Sequence, residues 1–346
     1  MNLTRLAAWA PPDRYRRISV LDLHTAGEPL RLVVGGVPEI RGTTILERRR
    51  YALHHLDHVR QILMHEPRGH SGMYGCFVTP PVTADADIGV IFMHNEGYST
   101  MCGHGIIAVA TAVVETGVLP AVEPETAVRI DTPAGLVSAF CRMKDGHVQS
   151  VRFRNVPSFV EVIGDTVDVP GIGQVPYDLA FGGAYYAFVH ADAVGLSGTE
   201  REYRVLIEKG MAIKRAIMAA HTFAHPDEPE MNFLYGTIFI APPKGNTASS
   251  RNVCVFADGQ VDRSPTGTGV SAMMALHFAG NEVGVNQPVV IESIIGTTFT
   301  GRVIDTVRCG PYDAVIPEVE GSACITGRHE FLVDPDDPLM HGFTLS

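Results

Sequence analysis

The chain has 346 residues, of which 45% are hydrophobic and 19% charged, and its formal net charge is −11. That composition excludes a disordered chain and supplies enough apolar residues for two domains of ordinary size. The acidic balance, broken only by Arg48, Arg49 and Arg50, argues against a nucleic-acid partner, because phosphate binding needs a basic surface. No run approaches the ~20 apolar residues of a membrane span, and the apolar patch at residues 6–10 is too short for a signal h-region. The cysteines at 76, 102, 141, 254, 309 and 324 form no C-x-x-C pair. They read as reduced thiols in a cytoplasmic protein.

In chain order, short runs rich in Val, Ile or Phe read as strands at residues 18–23, 32–34, 88–92, 151–153, 187–189, 237–240, 253–256 and 289–292, with Gly, Pro, Asp or Asn between them. Residues 48–64 carry leucines at 53, 56 and 63 among polar residues and predict a surface helix, and residues 201–220 predict another. Strands and helices do not alternate as in a doubly wound sheet, so the fold class is α+β. Two further helices, at residues 105–114 and 269–278, are apolar on every side, which predicts burial. Gly117 and Gly280 follow them as stops.

The turns that open these two helices match. CGHGIIA at 102–108 and TGTGVSA at 266–272 share the pattern [C/T]-G-x-G-Φ-x-A, with copies 164 positions apart. A period that long predicts a duplicated domain, not a solenoid. The division falls after Pro157: residues 1–157, joined by the tail 322–346, carry Cys102, and residues 158–321 carry Asp262 and Thr266.

A helix N-terminus presents unpaired N–H groups and a partial positive charge, so two such ends facing one cleft would hold a carboxylate between them. Glycines let a ligand reach the backbone. The same position is expected to lower the pKa of Cys102 and favour its thiolate, which would make it a base beside a bound carboxylate. Against this stands the reading of Cys102 as inert core filling.

MCGHG at 101–105 and DRSPTGTG at 262–269 resemble the two signature stretches of the proline racemase family, and HTAGEP at 24–29 and PRGH at 67–70 resemble further landmarks of it. The resemblance implies a diaminopimelate epimerase-like fold: two pseudo-symmetric domains, each a curved sheet around a buried helix, with the site between them. It implies no metal, no other cofactor, and catalysis by two cysteines on opposite faces of the substrate. Here the first is Cys102, but Thr266 stands in the second position. A threonine hydroxyl cannot exchange protons at neutral pH as a thiol does, so two-face racemisation should fail. Members with Cys and Thr in these positions resemble trans-3-hydroxy-L-proline dehydratases, whose substrate carries its hydroxyl on the same ring face as the Cα hydrogen. A single base, Cys102, would then serve a syn elimination to Δ1-pyrroline-2-carboxylate. By resemblance, Gly103, His104, Gly267 and Thr268 hold the carboxylate and Asp262 pairs with the ring ammonium. The alternatives are a proline or hydroxyproline racemase or epimerase, an amino-acid binding protein without turnover, and a diaminopimelate epimerase. A small-molecule substrate is the expected partner, and a homodimer is one assembly open to the chain.

Other signals carry less weight. Gly103-x-Gly105-x-x-Ala108 fits a dinucleotide fingerprint, but polar residues 95–101 precede it where a buried strand is required. His54 and His58 have i, i+4 spacing, with no Glu between them, and read as a solvated helix face. Tyr185, Tyr186, Phe188 and Met73 are candidates for the wall around the ring, and Glu96 for an orienting carboxylate.

Overall fold

A computed structural model describes residues 3–227 and 229–345; Met1, Asn2, Glu228 and Ser346 lie outside it. Every predicted strand falls inside an observed one, and further strands bring the total to 17 in one continuously hydrogen-bonded sheet.

Two closed curves share one strand, the second closed by pairing throughout and the first by the chain connection between two of its strands. Ala323–Val333 pairs with Arg16–Thr25, and the ladder continues through Glu28–Gly35, Tyr74–Thr79, Ile88–His94, Glu125–Thr132 and Gly135–Lys144 to His147–Arg154. That last strand pairs with the far end of Tyr312–Gly321, whose chain leads straight into Ala323–Val333. The near end of Tyr312–Gly321 starts the second ring, which runs through Ser158–Val169, Gly173–Phe181, Tyr185–His190, Leu234–Ala241, Ser250–Phe256, Val289–Glu292 and Thr298–Cys309 before returning. Alternating buried and exposed positions, as along Gly135–Lys144, mark strands with one face on the core.

One helix packs inside each ring. Gly103–Glu115 lies against strands of the first, and Gly267–Ala279 against strands of the second. Both begin two residues earlier than the apolar pattern predicts, because the glycine turns are themselves helical. Residues 103–114 are buried throughout, as an all-apolar helix requires. In the second helix burial ends at Ala275, and Phe278 and Ala279 line an open groove of about 790 Å³. The stops also differ. Gly117 takes the left-handed conformation (φ 73°), whereas Gly280 stays right-handed and Asn281 takes the left-handed position (φ 57°).

The helix predicted over residues 48–64 is two helices, Ile45–His55 and Asp57–Met64, broken at Leu56. His54 and His58 therefore do not share a helix face; His58 instead meets Arg16, with Nη1 3.1 Å from Nε2. Residues 201–220 hold the helix Tyr203–Ala220 after a turn of 3₁₀ helix. Among the described residues, no helix is long and apolar enough to cross a membrane.

Candidate active site

The two buried helices meet end to end. A Cβ on Gly103 would stand 2.6 Å from Gly267 Cα, and one on Gly267 would stand 2.8 Å from Gly103 Cα. Glycine is required at both positions by this contact. Helix geometry leaves the first-turn N–H groups of Gly103, His104, Gly267 and Thr268 without intrahelical acceptors, so two positive helix ends converge on one spot.

Around that spot lies a small cavity, partly open to the surface. Cys102, Gly103, His104, Asp262, Thr266, Gly267 and Thr268 all line it, so the seven residues expected from the sequence are brought together. Tyr74, Met101, Tyr186, Tyr235 and Phe256 complete the wall. The free volume is about 20 Å³, which is room for one water and far less than a proline ring needs.

Cys102 caps its helix from an extended backbone conformation, and its Sγ accepts the Gly105 N–H at 3.2 Å. His104 Nδ1 lies 3.2 Å from the same sulfur. The expectation of a depressed thiol pKa does not hold. Burial pushes the Cys102 thiol well up, and the nearby charge of Asp262 adds to the effect; the Gly105 N–H works the other way and does not overcome it. His104 is driven down to about 4, chiefly by burial, so its imidazole is neutral.

On the facing side, Thr266 has φ 67°, a left-handed conformation that is rare for a β-branched residue and costs about 1–3 kcal/mol. Two bonds hold it there. Its N–H donates to Ser264 Oγ at 3.1 Å, and its hydroxyl donates to Asp262 Oδ2 at 2.8 Å. Asp262 Oδ1 accepts the Ser264 N–H at 2.7 Å. Cys254 is buried behind Thr266 and does not line the cavity.

Of the four candidates for the ring wall, only Tyr186 lines the cavity, with its hydroxyl 2.7 Å from Thr268 Oγ1. Tyr185 points into the second ring's core, Met73 packs in an outer cluster, and Phe188 sits in the central core without reaching the wall. Alternation along a strand sends neighbours to opposite faces, which separates Tyr185 from Tyr186. Glu96 is exposed and away from the cavity.

The sequence reading missed Tyr74, Tyr235 and Glu28. The tyrosines sit in ordinary strand contexts that carry no local signal. Glu28 lies in the HTAGEP stretch and is fully buried, with Oε2 accepting the Arg263 N–H at 2.8 Å. Burial, with Asp262 close by, raises its pKa to about 8.

Known proteins fit this arrangement. The proline racemase family profile matches residues 20–344. A Bacillus thuringiensis subsp. konkukian protein named trans-3-hydroxy-L-proline dehydratase is 48% identical over 330 residues, covering 94% of this chain and 98% of its own. The chain belongs to the proline racemase family. A human protein with the same name is 46% identical over 334 residues, covering 95% of this chain and 94% of its own. The crystal structure of a hydroxyproline epimerase from Agrobacterium vitis with bound trans-4-hydroxy-L-proline superposes with a TM-score of 0.90 at 33% identity, covering 96% of each chain. The fold is that of the proline racemases, a sheet closed on itself with few helices.

Proposed function

We propose that this protein is a hydro-lyase that converts trans-3-hydroxy-L-proline to Δ1-pyrroline-2-carboxylate, with Cys102 as its one proton-transferring base. The observation that carries this reading is the asymmetry of the two helix ends. A thiol stands on one side, and on the other a threonine hydroxyl already donates to Asp262. The dehydratase relatives, similar over nearly their whole length, support the same substrate.

The substrate carboxylate sits between the helix ends on the N–H groups of Gly103, His104, Gly267 and Thr268. Its ring ammonium faces Asp262. Asp262 is one of the charges that disfavour the Cys102 thiolate, so pairing it with an ammonium removes that penalty and brings the thiolate within reach when substrate binds. The imidazole of His104, 3.2 Å from Sγ, stays neutral and is placed to hold the sulfur by a hydrogen bond. The thiolate then removes the Cα proton, the Cα–C3 double bond forms as the C3–O bond breaks, and the proton on Cys102 passes to the departing hydroxide as water. The enamine tautomerises to the cyclic imine. Among the described residues lining the other side, Thr266 stands where a second thiol would be needed, which disfavours the alternative racemase or epimerase.

We also propose a division into two domains, residues 1–157 with 322–346 and residues 158–321, each closed around one helix. The pairing of Ala323–Val333 with Arg16–Thr25 supports assigning the tail to the first. The test of the function is mass-spectrometric detection of the dehydrated imine from purified protein. Wild type should form it and Cys102→Ser should not; full turnover by Cys102→Ser would end the one-base mechanism.

A further inference from the structure

The family's proline-type substrates share a carboxylate and a ring amine, and the helix ends and Asp262 account for both. Neither group recognises a hydroxyl at C3. We infer that the linked hydroxyls of Tyr74, Ser99 and Tyr235 form the subsite that receives the substrate's 3-hydroxyl. The inference rests on the function proposed above and adds its specificity determinant.

Three hydroxyls form one chain here, those of the buried Tyr74 and Ser99 and of the half-buried Tyr235. Tyr74 OH is hydrogen-bonded to Ser99 Oγ, and Ser99 Oγ lies 3.3 Å from Tyr235 OH. Tyr74 and Tyr235 line the cavity, and Ser99 sits behind them and fixes their spacing. The Tyr74 ring packs edge-on against His104 at 4.8 Å between centroids, and His104 is the neighbour of the Cys102 sulfur. Tyr235 is stacked on Phe256 at 5.4 Å, which holds its ring in place. A hydroxyl donates one proton and accepts through its lone pairs, so the chain can both give to and take from an incoming alcohol.

The placement matches the stereochemistry. In trans-3-hydroxy-L-proline the hydroxyl and the Cα hydrogen share one ring face. The group that takes that hydrogen is Cys102, and Tyr74 is the phenol on its side of the cavity, packed against the His104 ring that lies 3.2 Å from the Cys102 sulfur. The third phenol, Tyr186, is bound to Thr268 at the opposite helix end and serves the other side. Burial holds the Tyr74 and Tyr235 phenols protonated. They therefore remain donors to an oxygen that gains negative charge as the C3–O bond breaks.

The test compares equilibrium affinities for trans-3-hydroxy-L-proline and for L-proline, which differ only in the hydroxyl. Calorimetry in the Cys102→Ser background prevents turnover. Adding Tyr74→Phe or Tyr235→Phe should weaken hydroxyproline binding by about five- to tenfold while L-proline binding stays within about twofold. Retained L-proline binding also shows that the site is folded. In the otherwise intact enzyme, Tyr74→Phe should lower kcat as well as raise KM. Tyr186→Phe should move the two ligands together. Equal losses for both ligands with Tyr74→Phe, no loss for either, or a selective loss with Tyr186→Phe would each overturn the assignment. The binding comparison is read whether or not the protein dehydrates hydroxyproline, so failure of the proposed reaction and failure of the subsite are told apart.

Discussion

Replacing Gly103 by alanine tests whether the contact between the two helix ends is what builds the anion site. The new Cβ would lie 2.6 Å from Gly267 Cα, 3.0 Å from the Gly267 carbonyl carbon and 3.0 Å from Phe153 Cζ. Two of these neighbours are backbone atoms of a buried helix and cannot swing aside. Comfortable carbon–carbon contacts begin near ~3.5 Å, so the ends must separate by about 1 Å. Overpacking of this kind costs about 1–3 kcal/mol of stability. The larger effect is on catalysis. In the proposed complex the carboxylate is gripped from both sides, and a displacement of about 1 Å between the grips is worth about 10²-fold in rate. Initial rates of imine formation from trans-3-hydroxy-L-proline, with thermal unfolding as a parallel reading, measure both quantities. Gly267→Ala, with its Cβ 2.8 Å from Gly103 Cα, should behave alike. A folded Gly103→Ala protein with wild-type kcat/KM would refute the claim that the abutting ends hold the substrate.

Three further outcomes follow from the same geometry. Thr266→Cys should create a proton donor on the second face, raising racemisation of L-proline, read by chiral chromatography, at least about 10²-fold over wild type; no gain would mean that the second face is blocked by more than chemistry. Asp262→Asn should lower kcat/KM by about 10- to 150-fold, mainly through KM, because it removes the charge facing the ammonium and leaves an acceptor for Thr266. Glu28 has a folded pKa raised to about 8, so between pH 4.5 and 8 the native state holds a proton that the unfolded state has released. Its contribution to stability therefore falls as pH rises through that window, at up to ~1.4 kcal/mol per pH unit, and is constant above it. Denaturant unfolding at several pH values should show Glu28→Gln gaining on wild type from pH 4.5 to 8; parallel curves would show that Glu28 is charged throughout.

The site was legible where the chemistry is written in consecutive residues. CGHG and TGTG mark the two helix ends, and their first glycines, Gly103 and Gly267, are the pair at which an added Cβ would collide with the opposite helix. The depth of burial was not legible. A helix end and a cavity act in opposite directions on Cys102, and only the structure shows that the cavity prevails. The eight strands found from the sequence are compact apolar runs. Those missed, such as Ser158–Val169 and Thr298–Cys309, carry polar residues on their outer faces and are each interrupted by a Gly, so half of each reads as loop. The break at Leu56 has no Gly or Pro to announce it; Asp57 opens a new helix and pairs with Arg60 at 2.6 Å. Tyr74 and Tyr235 come from strands 161 positions apart, and nothing local to either says that they meet.

The central claim is that chemistry occurs on the Cys102 face alone. Proton NMR of the protein in D₂O, with trans-3-hydroxy-L-proline in one sample and L-proline in another, tests it directly. The account predicts loss of the hydroxyproline signals to pyrroline-2-carboxylate, with L-proline keeping its L configuration. Conversion of L-proline to deuterated D-proline would contradict it, because both faces would then be active.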